Sequence, residues 1–103
     1  MYTRKATVAA AVGLHARSAA VFVRAVNQTG LPILLAKEGL APVDGRSLLE
    51  VMTADFLCGT EVEISVADSR AGDDIVRAAV DSLAELLGTD LTDPSRAQQP
   101  HAT

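Results

Sequence analysis

His15 and Arg17 stand two positions apart, behind Gly13 and Leu14 and ahead of Ser18, Ala19 and Ala20. An imidazole is a nucleophile in its neutral form and is available as such near neutral pH. The small and apolar residues that follow it read as the opening turns of a helix. If that helix starts near Ala16, His15 lies at its N-terminal edge. Unpaired backbone N–H groups and the positive end of the helix dipole gather there. Such a place binds anions, and a guanidinium beside it adds charge-assisted hydrogen bonds. An imidazole so placed, with a guanidinium beside it, is a candidate holder of a phosphoryl group, with Ala16, Arg17 and Ser18 as the candidate phosphate ligands. A histidine at a helix start can also be an ordinary surface cap. Arg17 argues against that, because a cation in a first turn is mildly unfavourable with the dipole unless an anion joins it.

The elements that position this stretch follow from hydrophobic rhythm. Residues 2–10 alternate as a half-buried strand, with Thr3, Lys5, Thr7 and Ala9 against Tyr2, Arg4, Ala6 and Val8, and Gly13 breaks the run. Residues 16–28 read as a helix with Ala19, Ala20, Phe22, Val23 and Val26 on one stripe and Arg17, Ser18 and Arg24 off it or at its margin. Gly30 suits its C-terminal end. Pro32 opens a strand at 33–37, and a short strand over about 40–43 can pair back on it. Ser47 is an N-cap for a helix from Leu48 to about Phe56, and Glu50 completes a capping-box pattern. Residues 61–66 alternate strictly, with Val62, Ile64 and Val66 inward. After a turn at 68–72, Asp73 or Asp74 starts a helix striped by Ile75, Val76, Ala79, Val80, Leu83, Leu86 and Leu87 and closed by Gly88. Residues 89–103 hold two prolines and little to bury, which predicts a disordered tail. Four strands and three helices in the order βαββαβα suit an α+β domain over residues 1–88, a single sheet with helices on one face.

Composition narrows the function. The chain has 103 residues, enough for one small domain, and 49% of them are apolar, ample for a core. A net charge of −4 with one tyrosine, two phenylalanines and no tryptophan argues against nucleic acid as a partner. A single cysteine, Cys58, permits no internal disulfide and no metal-ligand spacing, so neither a metal nor another cofactor is expected. Cys58 itself is expected to be a small buried residue, and His101 in the tail has no assigned role. No stretch nears the ~18 apolar residues of a membrane span, so a monomeric cytoplasmic domain is expected.

Gly13-Leu14-His15-Ala16-Arg17 followed by alanines resembles the active-site signature of the HPr family, the phosphocarriers of the phosphoenolpyruvate-dependent sugar phosphotransferase system. Gly45-Arg46-Ser47-Leu48-Leu49-Glu50-Val51-Met52 is similar to that family's regulatory serine and the apolar helix after it. The distance from His15 to Ser47 is close to the family's own, and the resemblance covers about residues 2–88. It implies an open-faced β-sandwich with a four-stranded antiparallel sheet. It also implies that His15 takes a phosphoryl group on Nδ1 from phosphorylated enzyme I and passes it to a sugar-specific enzyme IIA. The protein would then be a stoichiometric carrier and not an enzyme. Ser47 would be the target of an ATP-dependent HPr kinase, and Leu48, Leu49 and Met52 would form the docking patch. Ser18 stands where the family usually has proline, and Glu50 where glycine is common. Asp55-Phe56-Leu57 departs from a leucine- and glycine-rich stretch. The alternative is a regulatory module of the same fold that docks partners without relaying a phosphoryl group.

Overall fold

A computed structural model describes residues 2–67, 70–89 and 91. In chain order the elements are β1 (Thr3–Thr7), α1 (Ala16–Thr29), β2 (Ile33–Ala36), β3 (Val43–Asp44), α2 (Leu48–Ala54), β4 (Glu61–Val66) and α3 (Asp73–Leu87). The α+β order βαββαβα is the expected one. The four strands form one sheet in the order β1-β4-β2-β3, and every neighbouring pair is antiparallel.

Alternation along β4 decides what the sheet does with its two faces. Val62, Ile64 and Val66 are buried, and the register sets Ile33 opposite Val66 and Leu35 opposite Ile64. These five side chains join Phe22 and Val26 of α1 and Leu83 and Leu87 of α3 in one core. The opposite face carries Glu61 and Glu63 of β4 and Lys5 of β1, all exposed. With so few aromatic rings the core depends on close aliphatic packing, so each large side chain matters. Removing one such as Phe22 costs about 3–5 kcal/mol.

Several boundaries differ from the sequence expectation. β1 ends at Thr7, because beyond its pairing with Glu61 the chain leaves the ladder. Val8 then bonds Thr60 O at 2.9 Å and Ala9 bonds Leu87 O at 3.2 Å, which carries the strap of residues 8–15 across the end of α3. Ala6 alone of the β1 residues packs on the core, as befits an edge strand. β3 is confined to Val43–Asp44, later than the expected 40–43, since Pro42 has no N–H to give to a ladder. α2 stops at Ala54, two residues short of Phe56, because Asp55 turns left-handed at φ 59°. Ala20 and Ile75, both expected inward, are exposed. So is Cys58, which contradicts its expected burial; it sits on a surface turn between α2 and β4.

Leu91 is buried against the core, and the Thr89 hydroxyl donates to Leu86 O at 2.7 Å. The rest of the expected tail, including His101, lies outside the described residues, as do Asp68 and Ser69 of the expected turn. Among the described residues no helix is long and apolar enough to cross a membrane, and no cluster of His, Cys, Asp and Glu could hold a metal ion.

Polar contacts fasten the start of β1 to α3. Tyr2 donates its hydroxyl hydrogen to Asp81 at 2.6 Å, Arg4 bonds the same oxygen at 3.1 Å, and the Arg77 guanidinium lies 4.8 Å from the Tyr2 ring centre. The Tyr2 hydrogen bond, then that of Arg4, holds the Asp81 carboxyl below the usual carboxylate range. A carboxyl with a lowered folded pKa stabilises the fold above its unfolded value, near ~3.9, and that contribution is lost as pH falls through the lowered value. Asp81→Asn is therefore expected to melt earlier than the parent at neutral pH. The difference should shrink as pH is taken from about 5 to about 3. A pH-independent difference in melting temperature would show that the carboxylate charge is not what fastens β1.

Candidate functional site

Two straps of chain meet beneath the start of α1. Residues 8–15 run along the surface turn at 56–60, tied by Gly59 N–H to Val8 O at 2.8 Å and by Leu14 N–H to Phe56 O at 2.8 Å. Gly13 makes the approach possible. Its φ is +73°, and a β-carbon there would lie 2.6 Å from Phe56 O and 3.0 Å from the Leu57 α-carbon. Leu14 and Phe56 are both fully buried under this crossing. The crossing fixes where His15 begins.

His15 is the N-cap of α1, in extended backbone at φ −132° and ψ 146°. Ala16 follows at φ 46°, a left-handed conformation that costs an alanine about 1–2 kcal/mol. Strain of this kind needs firm surroundings, and Ser18 helps supply them. Ser18 is completely buried, unlike the margin position expected of it. Its hydroxyl lies 2.5 Å from Gly13 O and 2.9 Å from His15 O, and accepts the His15 N–H at 3.1 Å. Ser18 N–H is itself bonded to His15 O at 3.1 Å. The side chain expected near a phosphate is thus turned inward, where it ties residues 13, 15 and 18 together.

The anion-binding capacity lies in the two residues between. Among the described residues, neither Ala16 N–H nor Arg17 N–H has an acceptor, as is normal for a first helical turn. The Arg17 side chain is exposed and makes no hydrogen bond or ion pair among the described residues. No acidic side chain occupies this turn. An anion here would meet two backbone donors and a guanidinium next to an imidazole.

Asp55 completes the site from the other strap. Its Oδ1 lies 3.1 Å from His15 Nε2, with the His15 and Asp55 side chains 46% and 57% exposed. The Asp55 backbone is held at both ends, by its N–H on Met52 O at 3.2 Å and by Lys37 Nζ on its carbonyl at 2.9 Å. Lys37 also sits 5.6 Å from the centre of the Phe56 ring. Sequence reasoning missed both Asp55 and Lys37 as parts of the site. The one trace in the sequence was the unusual Asp55-Phe56-Leu57 run.

The second motif lies on and before α2. Ser47 caps α2 by accepting Glu50 N–H at 3.2 Å. The expected reciprocal half of the capping box is absent. Glu50 reaches Asp44 N–H at 3.0 Å, while Ser47 N–H goes to Asp44 O at 3.1 Å. Arg46 pairs with Asp44 at 3.0 Å. Leu49 is 76% exposed and Leu48 40%, whereas Met52 is half-buried on the core. Val12 and Leu57, both more than half exposed, flank the His15 strap.

The family model described as "PTS HPr component phosphorylation site" matches residues 2–89. The phosphocarrier protein HPr of Streptomyces coelicolor is 36% identical over 91 residues, 88% of this chain and 92% of its own length. That of Pseudomonas putida is 31% identical over 87 residues, 84% of this chain and 91% of its own. Among solved structures, a phosphocarrier protein HPr from Bacillus anthracis str. Ames has a TM-score of 0.70 at 26% identity, covering 82% of this chain and 94% of that one.

The inward role of Ser18 is open to a direct check. Ser18→Ala leaves the His15 N–H and Gly13 O without their buried partner, a loss of about 1–3 kcal/mol. Urea unfolding should show a lower midpoint at unchanged slope. A midpoint equal to the parent's would mean that the hydroxyl does not hold the loop.

Proposed function

The chain belongs to the HPr family, the phosphocarriers of the phosphotransferase system, and on that premise we propose that it accepts a phosphoryl group on His15 from phosphorylated enzyme I and delivers it to a sugar-specific enzyme IIA. The observation that carries this reading is the exposed His15 ring at the N-cap of α1, beside two backbone N–H groups and an Arg17 side chain that have no partner among the described residues. Phosphoryl transfer asks little covalent work of a protein and much positioning and electrostatic stabilisation. The Ala16 and Arg17 N–H groups and the Arg17 guanidinium would receive the phosphoryl oxygens. The Ser18 hydroxyl would hold the loop and not the phosphate.

The protein acts in this reading as a stoichiometric carrier in the cytoplasm, without a cofactor. Enzyme I and enzyme IIA would each dock over His15, using Leu48, Leu49 and Met52. Of these, Leu49 offers the most apolar surface. Ser47 serves first as the cap of α2, with Asp44 and Glu50 close by. A phosphate on Ser47 would face these two carboxylates.

Incubation with phosphoenolpyruvate and the cognate enzyme I should label the protein with an acid-labile, alkali-stable phosphoryl group that His15→Ala abolishes. Label that survives in a folded His15→Ala protein would sink the assignment. Arg17→Ala should keep the fold and slow transfer about tenfold, the effect of ~1.4 kcal/mol of lost transition-state stabilisation. Equal transfer rates would make Arg17 a bystander.

A further inference from the structure

The backbone at position 55 makes no demand for an aspartate. With φ 59° and ψ 57°, Asp55 ends α2 in the left-handed region, which glycine fills without strain and aspartate merely tolerates. Its contact with His15 is half-exposed, a setting in which even a fully charged pair adds little to stability. Neither the turn nor the stability of the fold accounts for a carboxylate here. The position does account for its aim: Lys37 Nζ and Met52 O grip the Asp55 backbone on either side, and Oδ1 meets His15 Nε2 at 3.1 Å.

We propose that Asp55 is a positioning residue for phosphoryl transfer, holding the His15 ring in the tautomer that leaves Nδ1 free as the acceptor. The proposal rests on the carrier reading of His15. An ionised carboxylate can only accept, so the Nε2 of a neutral ring must be the donor, and Nδ1 is left with its lone pair. That lone pair forms the bond to phosphorus. The donor's bond to phosphorus breaks, and its electron pair leaves with the donor. The Nε2 proton stays on His15, so the ring gains positive charge as its bond to phosphorus forms. Asp55 lies against the nitrogen that bears this proton, as carboxylates do behind other catalytic histidines. On delivery the Nδ1–phosphorus bond breaks and its electron pair returns to Nδ1. The Nε2 proton held at Asp55 makes the ring a better leaving group, so one carboxylate assists both directions of a reversible relay.

Ring-nitrogen chemical shifts of His15 test this in the unphosphorylated protein, read on the alkaline plateau of their pH dependence. The parent should show a protonated Nε2 and a bare Nδ1. Asp55→Gly, which relieves the left-handed turn and so retains the fold, should show a mixture of tautomers. Asp55→Asn, whose amide can donate to Nε2 as well as accept from it, should likewise lose the parent's single tautomer. Phosphorylation by enzyme I and phosphoenolpyruvate should fall roughly ten- to a hundredfold in Asp55→Gly, the range seen when a carboxylate that orients a metal-binding histidine is lost. Ring-nitrogen shifts in Asp55→Gly that match the parent's, or an unchanged transfer rate, would overturn the proposal. A parent protein that takes no phosphoryl group at all would overturn the carrier reading instead, and the tautomer measurement would still decide whether Asp55 orients the ring.

Discussion

The hydrogen bond from Leu14 N–H to Phe56 O is the constraint on which the site depends. It joins a strap leaving β1 to a strap leaving α2, and each would otherwise be a surface loop with its own freedom. The contact needs a residue without a β-carbon at position 13, because Phe56 O and Leu57 occupy that space. It also needs apolar side chains on both straps, and Leu14 and Phe56 bury completely to supply them. Once the straps are joined, His15 and Asp55 follow at adjacent positions on each side. Their 3.1 Å approach is a consequence of this junction and not a device separate from it.

The same junction explains why strained backbone persists at Ala16 and Asp55. Each lies at positive φ without being glycine, and each lies at a helix end: Ala16 opens α1 and Asp55 closes α2. A free loop would relax out of such conformations. Ser18 prevents this on one side by binding both Gly13 and His15, and Lys37 does so on the other by binding the Asp55 carbonyl. A proline at position 18 would fix its own φ but would offer no hydroxyl and no N–H. In this chain the serine keeps the loop in place by hydrogen bonding where a ring would do so by stiffness.

What the sequence made legible, and what it hid, divides along sequence distance. The caps were legible because a cap is local: Ser47 with Glu50 N–H, Gly30 in its left-handed turn at φ 72° and the start of α1 at Ala16. The sheet was legible through the alternation of residues 61–66, and the candidate site through His15 and Arg17. Glu50 shows the limit of local pattern. It stands at the right spacing for a capping box, but Asp44 N–H was within its reach and Ser47 N–H already had Asp44 O. Cys58 misled because its residue type favours burial, whereas its place on a tight turn exposes it. Asp55 was hidden because its partner lies 40 positions away, and no periodicity brings a helix C-terminus to another helix's N-terminus. Only the crossing of the two straps does that.

A phosphoryl carrier must hold its cargo weakly enough to release it, and a cargo held at His15, as proposed, would meet surroundings suited to that need. Buried, an imidazole and carboxylate pair would interact strongly and would also suffer a heavy desolvation cost. Both side chains here are about half exposed, so water and salt damp the attraction. The backbone donors at Ala16 and Arg17 belong to a first helical turn, whose dipole contributes about 0.3–1 kcal/mol to an exposed anion. Arg17 would add a charge-assisted bond from a solvated side chain that would lose conformational freedom on binding. Each contribution is modest, and together they would orient the ring and the phosphoryl oxygens without enclosing them. An open, shallow site would also let a donor and an acceptor protein reach the same nitrogen in turn. Precision therefore resides in the backbone beneath the site, where Gly13, Ser18 and Phe56 are buried, while the groups proposed to meet the phosphoryl remain in water.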